Sequence, residues 1–232
     1  MTMKTVGIVG GLGTETSCAF CLNVNRKVHQ EIQVQPHLLM DNVPMPLLTL
    51  EALARGEPTE EVKKLLIDSI DRLNLTKPSF IAIPCNTVHI FIDELRKQSR
   101  APILSIIEET VQECKRRSFE KIGVLCSSTT AKFGLYTREL RAAGISAIEP
   151  DEEEQQFISE CILRIIDFRQ TEEDQKRMTE IITHLQNKGA QAIILGCSDL
   201  FLLIHQVNSP LPLINSTEVL EKSVVERLMK EG

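Results

Sequence analysis

The sequence predicts an α/β protein of two pseudo-symmetric lobes, each a mostly parallel sheet flanked by helices, with a ligand site between them. Three observations carry this expectation. Short apolar runs alternate with segments of helical spacing along the whole chain, the pattern of parallel strands joined by helical crossovers. The pattern restarts halfway, because Lys121-Ile122-Gly123-Val124-Leu125-Cys126 resembles Thr5-Val6-Gly7-Ile8-Val9-Gly10, a weak internal duplication. Finally, Ile83-Pro84-Cys85-Asn86-Thr87-Val88-His89 has a partner at nearly the same offset, Leu195-Gly196-Cys197-Ser198-Asp199. Each of these two stretches ends an apolar run, turns at Pro or Gly, and sets a cysteine before a small polar residue where a helix is expected to start.

Taken in order, Val6 to Val9 reads as a strand, Gly10-Gly11-Leu12-Gly13 as a glycine turn, and Thr14 to about Asn25 as a helix. The turn lacks the glycine spacing of a dinucleotide site and the Lys-Ser/Thr of a P-loop, so substrate-carboxylate binding near Gly11 is preferred to a nucleotide. His37 to Val43 is a second strand, Pro44-Met45-Pro46 a loop, and Leu48 to Ala54 a helical stretch. Pro58-Thr59-Glu60-Glu61 opens a helix with Val62, Leu65, Leu66, Ile70 and Leu73 on one face. After the first cysteine motif come a helix to about Lys97, a strand over 102–106 and a helix through Cys114. In the second half, a helix near Leu135 to Ala143 and a short strand around Ile145 to Ile148 precede Asp151-Glu152-Glu153-Glu154, read as a helix N-terminus rather than a metal site. Long amphipathic helices run to about Asn187, and a closing strand over 211–214 leads into a final helix from Ser216. No glycine- or serine-rich linker appears, so the lobes should abut. The expected division is 1–100 plus about 208–232 against 101–207, the C-terminal segment returning to the first lobe.

Apolar residues at 42% and charged residues at 25% describe an ordinary folded chain. A net charge of −6, with no basic tract, argues against nucleic acid and anionic membrane as partners. Met1-Thr2-Met3-Lys4 runs straight into the first strand, and no apolar stretch approaches a membrane span. Seven cysteines without a dense framework suit a reducing compartment, so a cytoplasmic location is expected.

Two thiols at equivalent turns suggest specific chemistry. Inverting a carbon stereocentre by proton transfer needs a base on one face and an acid on the other, and a duplicated fold supplies two like groups facing each other. Cysteine suits both roles once its thiol, free pKa about 8.5, is lowered at a helix N-terminus. Racemase or epimerase chemistry is the expectation.

These residues resemble the aspartate/glutamate racemase superfamily over nearly the whole length. The markers are Gly10-Gly11-Leu12-Gly13, Pro84-Cys85-Asn86-Thr87-Val88-His89, Gly134-Leu135-Tyr136 and Gly196-Cys197-Ser198-Asp199. The resemblance implies an interlobe active site, no pyridoxal phosphate or other cofactor, an amino-acid substrate, and a homodimer, while the residues themselves offer no second pair of ligands spaced for a metal. It implies that Cys85 and Cys197 are the catalytic acid/bases and that Asn86, Thr87 and Ser198 hold the substrate α-carboxylate. Ser127 and Thr130 fall, by a looser match, where relatives place carboxylate-binding hydroxyls. Aspartate racemases of this kind carry an arginine in a Pro-Asp-Arg-Thr loop to grip the side-chain carboxylate. Here the loop reads Pro46-Leu47-Leu48-Thr49, and Leu48 cannot form that bidentate pair. Arg164 is the candidate substitute, and a less polar or broader amino-acid substrate stays open. Maleate isomerase, hydantoin racemase and a non-catalytic amino-acid-binding relative are the alternatives on the same scaffold.

The remaining residues are read more simply. Cys114, Cys126 and Cys161 are expected to be buried hydrophobes, and Cys18 and Cys21 helix-packing residues. His89 is expected to make a structural hydrogen bond rather than bind zinc. Glu15 and Asp199 either orient the thiols or are helix-start carboxylates.

Overall fold

The computed structural model describes residues 4–230; Met1 to Met3, expected to lead into the first strand, lie outside them. The first half builds β1 (Thr5–Gly10), α1 (Thr14–Ile32), β2 (His37–Asn42), α2 (Leu47–Ala54), α3 (Glu60–Thr76), β3 (Phe80–Ala82), α4 (Ile92–Gln98) and β4 (Ile103–Leu104). The second builds α5 (Ile106–Arg116), β5 (Lys121–Cys126), α6 (Ser128–Lys132), α7 (Leu135–Ala142), β6 (Ser146–Ile148), α8 (Glu152–Ile166), α9 (Glu172–Asn187), β7 (Ala192–Gly196), β8 (Leu213–Asn215) and α10 (Ser216–Met229). The strands form two parallel four-stranded sheets, β2-β1-β3-β4 and β6-β5-β7-β8. The two orders are the same when counted from each half's first strand, so the sequence restart is a repeat of topology.

Helix boundaries follow local chemistry. Thr59 caps α3 by accepting from the Val62 N–H, and Ser105 caps α5 at Glu108. Asp151 with Glu154, and Thr171 with Asp174, form capping boxes at the starts of α8 and α9. The acidic opening at 151–154 is therefore a helix start, as its sequence suggests. His184, which shows no constellation in the sequence, nonetheless reaches Glu154 Oε1 at 2.7 Å from α9.

Strand alternation splits the core. Phe80 and Ala82 of β3, with Ala192 and Ile194 of β7, enter one cluster shared by both sheets together with α1, α5 and α10. Ile81 and Ile83 face the other way, onto Val62, Leu66 and Ile70 of α3. Ile193 and Leu195 pack likewise onto Ile181 and Ile182 of α9. The lobes thus abut through a continuous apolar layer. Glu221 of α10, 2% exposed, accepts from Asn23 and Lys27 of α1 and ties that layer together.

The register corrects the expected division of the chain. β4 pairs with β3 in the first sheet and β8 with β7 in the second, whereas a split at 101 and 208 puts each in the opposite lobe. Only α10 returns, packing against α1 and α5. The physical reason is that two- and three-residue edge strands carry too little pattern to reveal their partners, which the connections decide, α4 between β3 and β4 and the turns over 200–208 between β7 and β8. Among the described residues no helix is long and apolar enough to cross a membrane.

Candidate active site

In open parallel sheets a crevice opens beyond the carboxyl ends of the strands where the strand order reverses. That point lies between β1 and β3 in one sheet and between β5 and β7 in the other. The glycine turn and Cys85 lie beyond the first pair of strands, Ser127 and Cys197 beyond the second. The two switch points together form a cleft with about 700 Å³ of open space including its mouth. Cys85, Asn86, Thr87, Ser127, Cys197 and Ser198 all line it, as do Glu15 and Asp199.

The cysteines do not start α-helices as the sequence suggests. Cys85 precedes a 3₁₀ turn over Thr87–Phe91, and Cys197 precedes another over Leu200–Leu202. His89 clamps the first turn. Its Nε2 accepts from the Ile106 N–H at 3.2 Å, so Nδ1 carries the proton and donates to the Cys85 carbonyl at 2.8 Å. Burial presses the ring pKa down to about 4, keeping it neutral for this role. The expected structural hydrogen bond is thus two bonds, which leave neither ring nitrogen for a metal.

Asn86 bridges the lobes. Its Oδ1 accepts from Tyr136 Oη at 2.5 Å, and its Nδ2 donates to Ser216 Oγ at 3.1 Å. Ser216 in turn donates to the Leu195 carbonyl two residues before Cys197. Thr87 Oγ1 and Ser127 Oγ share a bond of 3.0 Å across the cleft, and Ser127 donates to Thr130 Oγ1 behind it. On the opposite side Cys197 Sγ donates to Asp199 Oδ2 at 3.9 Å, and Thr16 Oγ1 of α1 donates to Asp199 Oδ1 at 2.7 Å. Tyr136, Ser216 and Thr16 are the residues that sequence reasoning missed. Tyr136, the one tyrosine of the chain, stands in the Gly134-Leu135-Tyr136 motif, which is the signal that marks it.

Two expected site residues do not line the cleft. The Gly11 N–H already donates to Ser17 Oγ at 3.3 Å, and a Cβ there would meet the Val43 backbone. Gly11 serves a close backbone approach rather than an open anion cradle. Thr130 is 1% exposed and supports Ser127 from behind. Arg164 is no substitute for the missing arginine, since its guanidinium is held by Asp174 at 2.6 Å and lies over Phe157. Leu48 is 79% exposed on the first turn of α2, and it is Leu50, Leu53 and Ala54 of that helix that line the cleft. The Thr129 hydroxyl donates to the Leu53 carbonyl and Lys132 Nζ to the Gly56 carbonyl, docking α2 and its C-terminal turn on the second lobe.

Electrostatics run opposite to the expected lowering. Burial pushes the Cys85 thiol up to about 11, against the pull of the Val88 and Thr87 N–H groups, with Asp199 adding to the rise. Cys197 is driven well above its ordinary value by burial and by Asp199. The Asp199 carboxyl is itself raised by burial, despite the Thr16 hydroxyl. A single 3₁₀ turn provides too little aligned dipole to outweigh desolvation. Iodoacetamide alkylation of Cys85 and Cys197 should therefore climb about tenfold per pH unit from 8 to 10. Peptide mass spectrometry reads the rates, and a plateau near pH 8.5 would show that the N–H groups win.

Paired thiols at matching turns of two repeated sheets, lining one cleft with hydroxyls joined across it, accompany a two-lobed α/β enzyme fold. Residues 9–224 match the Asp/Glu/Hydantoin racemase family, and the chain belongs to it. It is 28% identical over 226 residues to the broad specificity amino-acid racemase RacX of Bacillus subtilis, covering 95% of this chain and 96% of that one. The aspartate racemase of Picrophilus torridus has the same fold, with TM-score 0.80 at 24% identity over 98% of this chain and 95% of that chain. An aspartate racemase homologue from Pyrococcus horikoshii OT3 does too, with TM-score 0.79 at 23% identity over 98% and 100%.

Proposed function

We propose that the protein is a cofactor-independent amino-acid racemase in which Cys85 and Cys197 transfer the Cα proton on opposite faces of the substrate. The observation that carries this reading is that both thiols line one cleft at equivalent switch points. In one direction the Cys197 thiolate, its proton passed to Asp199, removes the Cα proton. Cys85 then gives its own proton to the other face of the planar carbanion. In the other direction the two cysteines exchange roles. The α-carboxylate is held by Ser198 and by Thr87 and Ser127, whose hydroxyls rotate out of their bonds to each other and to Thr130 to donate to the charge that develops on it. Asn86 acts by holding the Cys85 turn against Tyr136 and Ser216, since both ends of its amide are engaged.

The raised thiol pKa values fit this chemistry. A thiolate of high pKa is a stronger base toward a weak carbon acid, and the substrate ammonium supplies the positive charge that stabilises it. Seven unpaired cysteines support a reducing compartment, the cytoplasm, and family membership supports a homodimer, which sedimentation would establish. The activity is tested by incubating single enantiomers of a broad amino-acid panel in heavy water. Inversion with deuterium gained at Cα is expected, and no exchange by any member of the panel would end this reading.

A further inference from the structure

Beside the polar residues of the cleft stands an apolar wall. The wall is Leu50 and Leu53 of α2, Ile162 and Ile166 of α8, Phe168 and Leu202. Among the described residues no lysine, arginine or histidine lines the cleft. Its ionisable lining groups are the two thiols, Glu15 and Asp199, every one neutral or negative. A second carboxylate on the substrate would leave water with no cation to meet it and two carboxyl groups nearby, so binding it is unfavourable.

Two apolar members of this wall are left open to water. Phe168, between α8 and α9, is 71% exposed with a left-handed φ of 57°, and Leu202 is 44% exposed. That φ is the left-handed stop of α8, where the Phe168 N–H donates to the Ile165 carbonyl and the Arg169 N–H to the Arg164 carbonyl, and it turns the ring out at the helix end. Both side chains border the cleft, so a ligand that covers them removes apolar surface from water.

We infer that the cleft selects amino acids with apolar side chains and rejects aspartate and glutamate. The inference rests on the racemase reading for what the cleft binds, and it specifies the side chain. Leu50, Leu53, Phe168 and Leu202 are its specificity-determining residues.

The test separates binding from turnover. The double variant Cys85→Ser, Cys197→Ser is titrated by calorimetry with both enantiomers of leucine, methionine, phenylalanine, aspartate and glutamate. The expected result is at least tenfold tighter binding of the apolar group. Equal or tighter binding of the acids, or no binding of any apolar amino acid, overturns the inference. A wild-type chain that binds leucine yet never exchanges its Cα proton would sink the two-thiol reading and leave this one standing. Phe168→Arg, at an exposed position that tolerates the change without unfolding, should weaken leucine and strengthen glutamate, shifting their ratio at least tenfold. An unchanged ratio in this variant removes Phe168 from the specificity set.

Discussion

Replacing either Cys85 or Cys197 with alanine should lower racemisation by at least about a thousandfold, and the two losses should differ in kind. Each thiol faces one side of the carbon. Cys85→Ala keeps the Cys197 base, so one enantiomer should still exchange its Cα proton slowly with solvent and return to its starting configuration. Cys197→Ala should show the same behaviour with the other enantiomer. Deuterium incorporation without inversion, followed by mass spectrometry and chiral chromatography, reads this directly. Cys114→Ala is the control, since Cys114 lies in the shared core on α5, away from the cleft. It should keep full kcat while losing stability. If both active-site variants lose exchange on the same enantiomer alone, the thiols do not divide the two faces and the proposed mechanism is wrong.

Gly11→Ala should cost about 3 kcal/mol of stability, a large share of the 5–15 kcal/mol that holds an ordinary domain. Two effects combine. Gly11 has φ +83°, where an L side chain is strained, and an added Cβ would lie 2.4 Å from the Val43 carbonyl oxygen and 2.6 Å from its nitrogen. Both are backbone atoms, and the Val43 N–H is bonded to the Gly10 carbonyl, so neither can swing aside. Gly144→Ala separates the two effects, because Gly144 has φ +78° but nothing within 4 Å of its added Cβ. It should cost only the strain, about 1 kcal/mol. Urea unfolding of both variants gives the comparison, and a Gly11→Ala protein within 1 kcal/mol of wild type would mean the turn shifts freely.

The readable features were those carried by contiguous residues. Ser79 to Pro84 and Gln191 to Gly196 are apolar runs ended by turn residues, so strand, turn and cysteine could all be placed from local pattern. Val62, Leu66, Ile70 and Leu73 announced the buried face of α3 by spacing alone. By contrast β4 and β8 are two and three residues long, too short to show a partner, and only their pairing places β4 beside β3 and β8 beside β7. Asp199 could be read as an orienting group or a helix-start carboxylate. Its bonds to Thr16 and Cys197 favour orientation, and the Thr16 bond spans the two halves of the chain.

From its amino acids alone the chain declared two repeated α/β units, a pair of equivalent cysteine turns and a loop over 46–49 without a cation, because each is written in neighbouring residues. Folding decided the rest. Burial, which depends on what the whole chain packs around a group, turned the expected low-pKa thiols into high-pKa ones. Long-range docking set Tyr136 on Asn86, Thr16 on Asp199 and the apolar residues of α2 and α8 around one cleft. Local pattern fixes which way a residue faces within its own strand or helix, whereas its partners across the cleft are set by how separate elements pack in space.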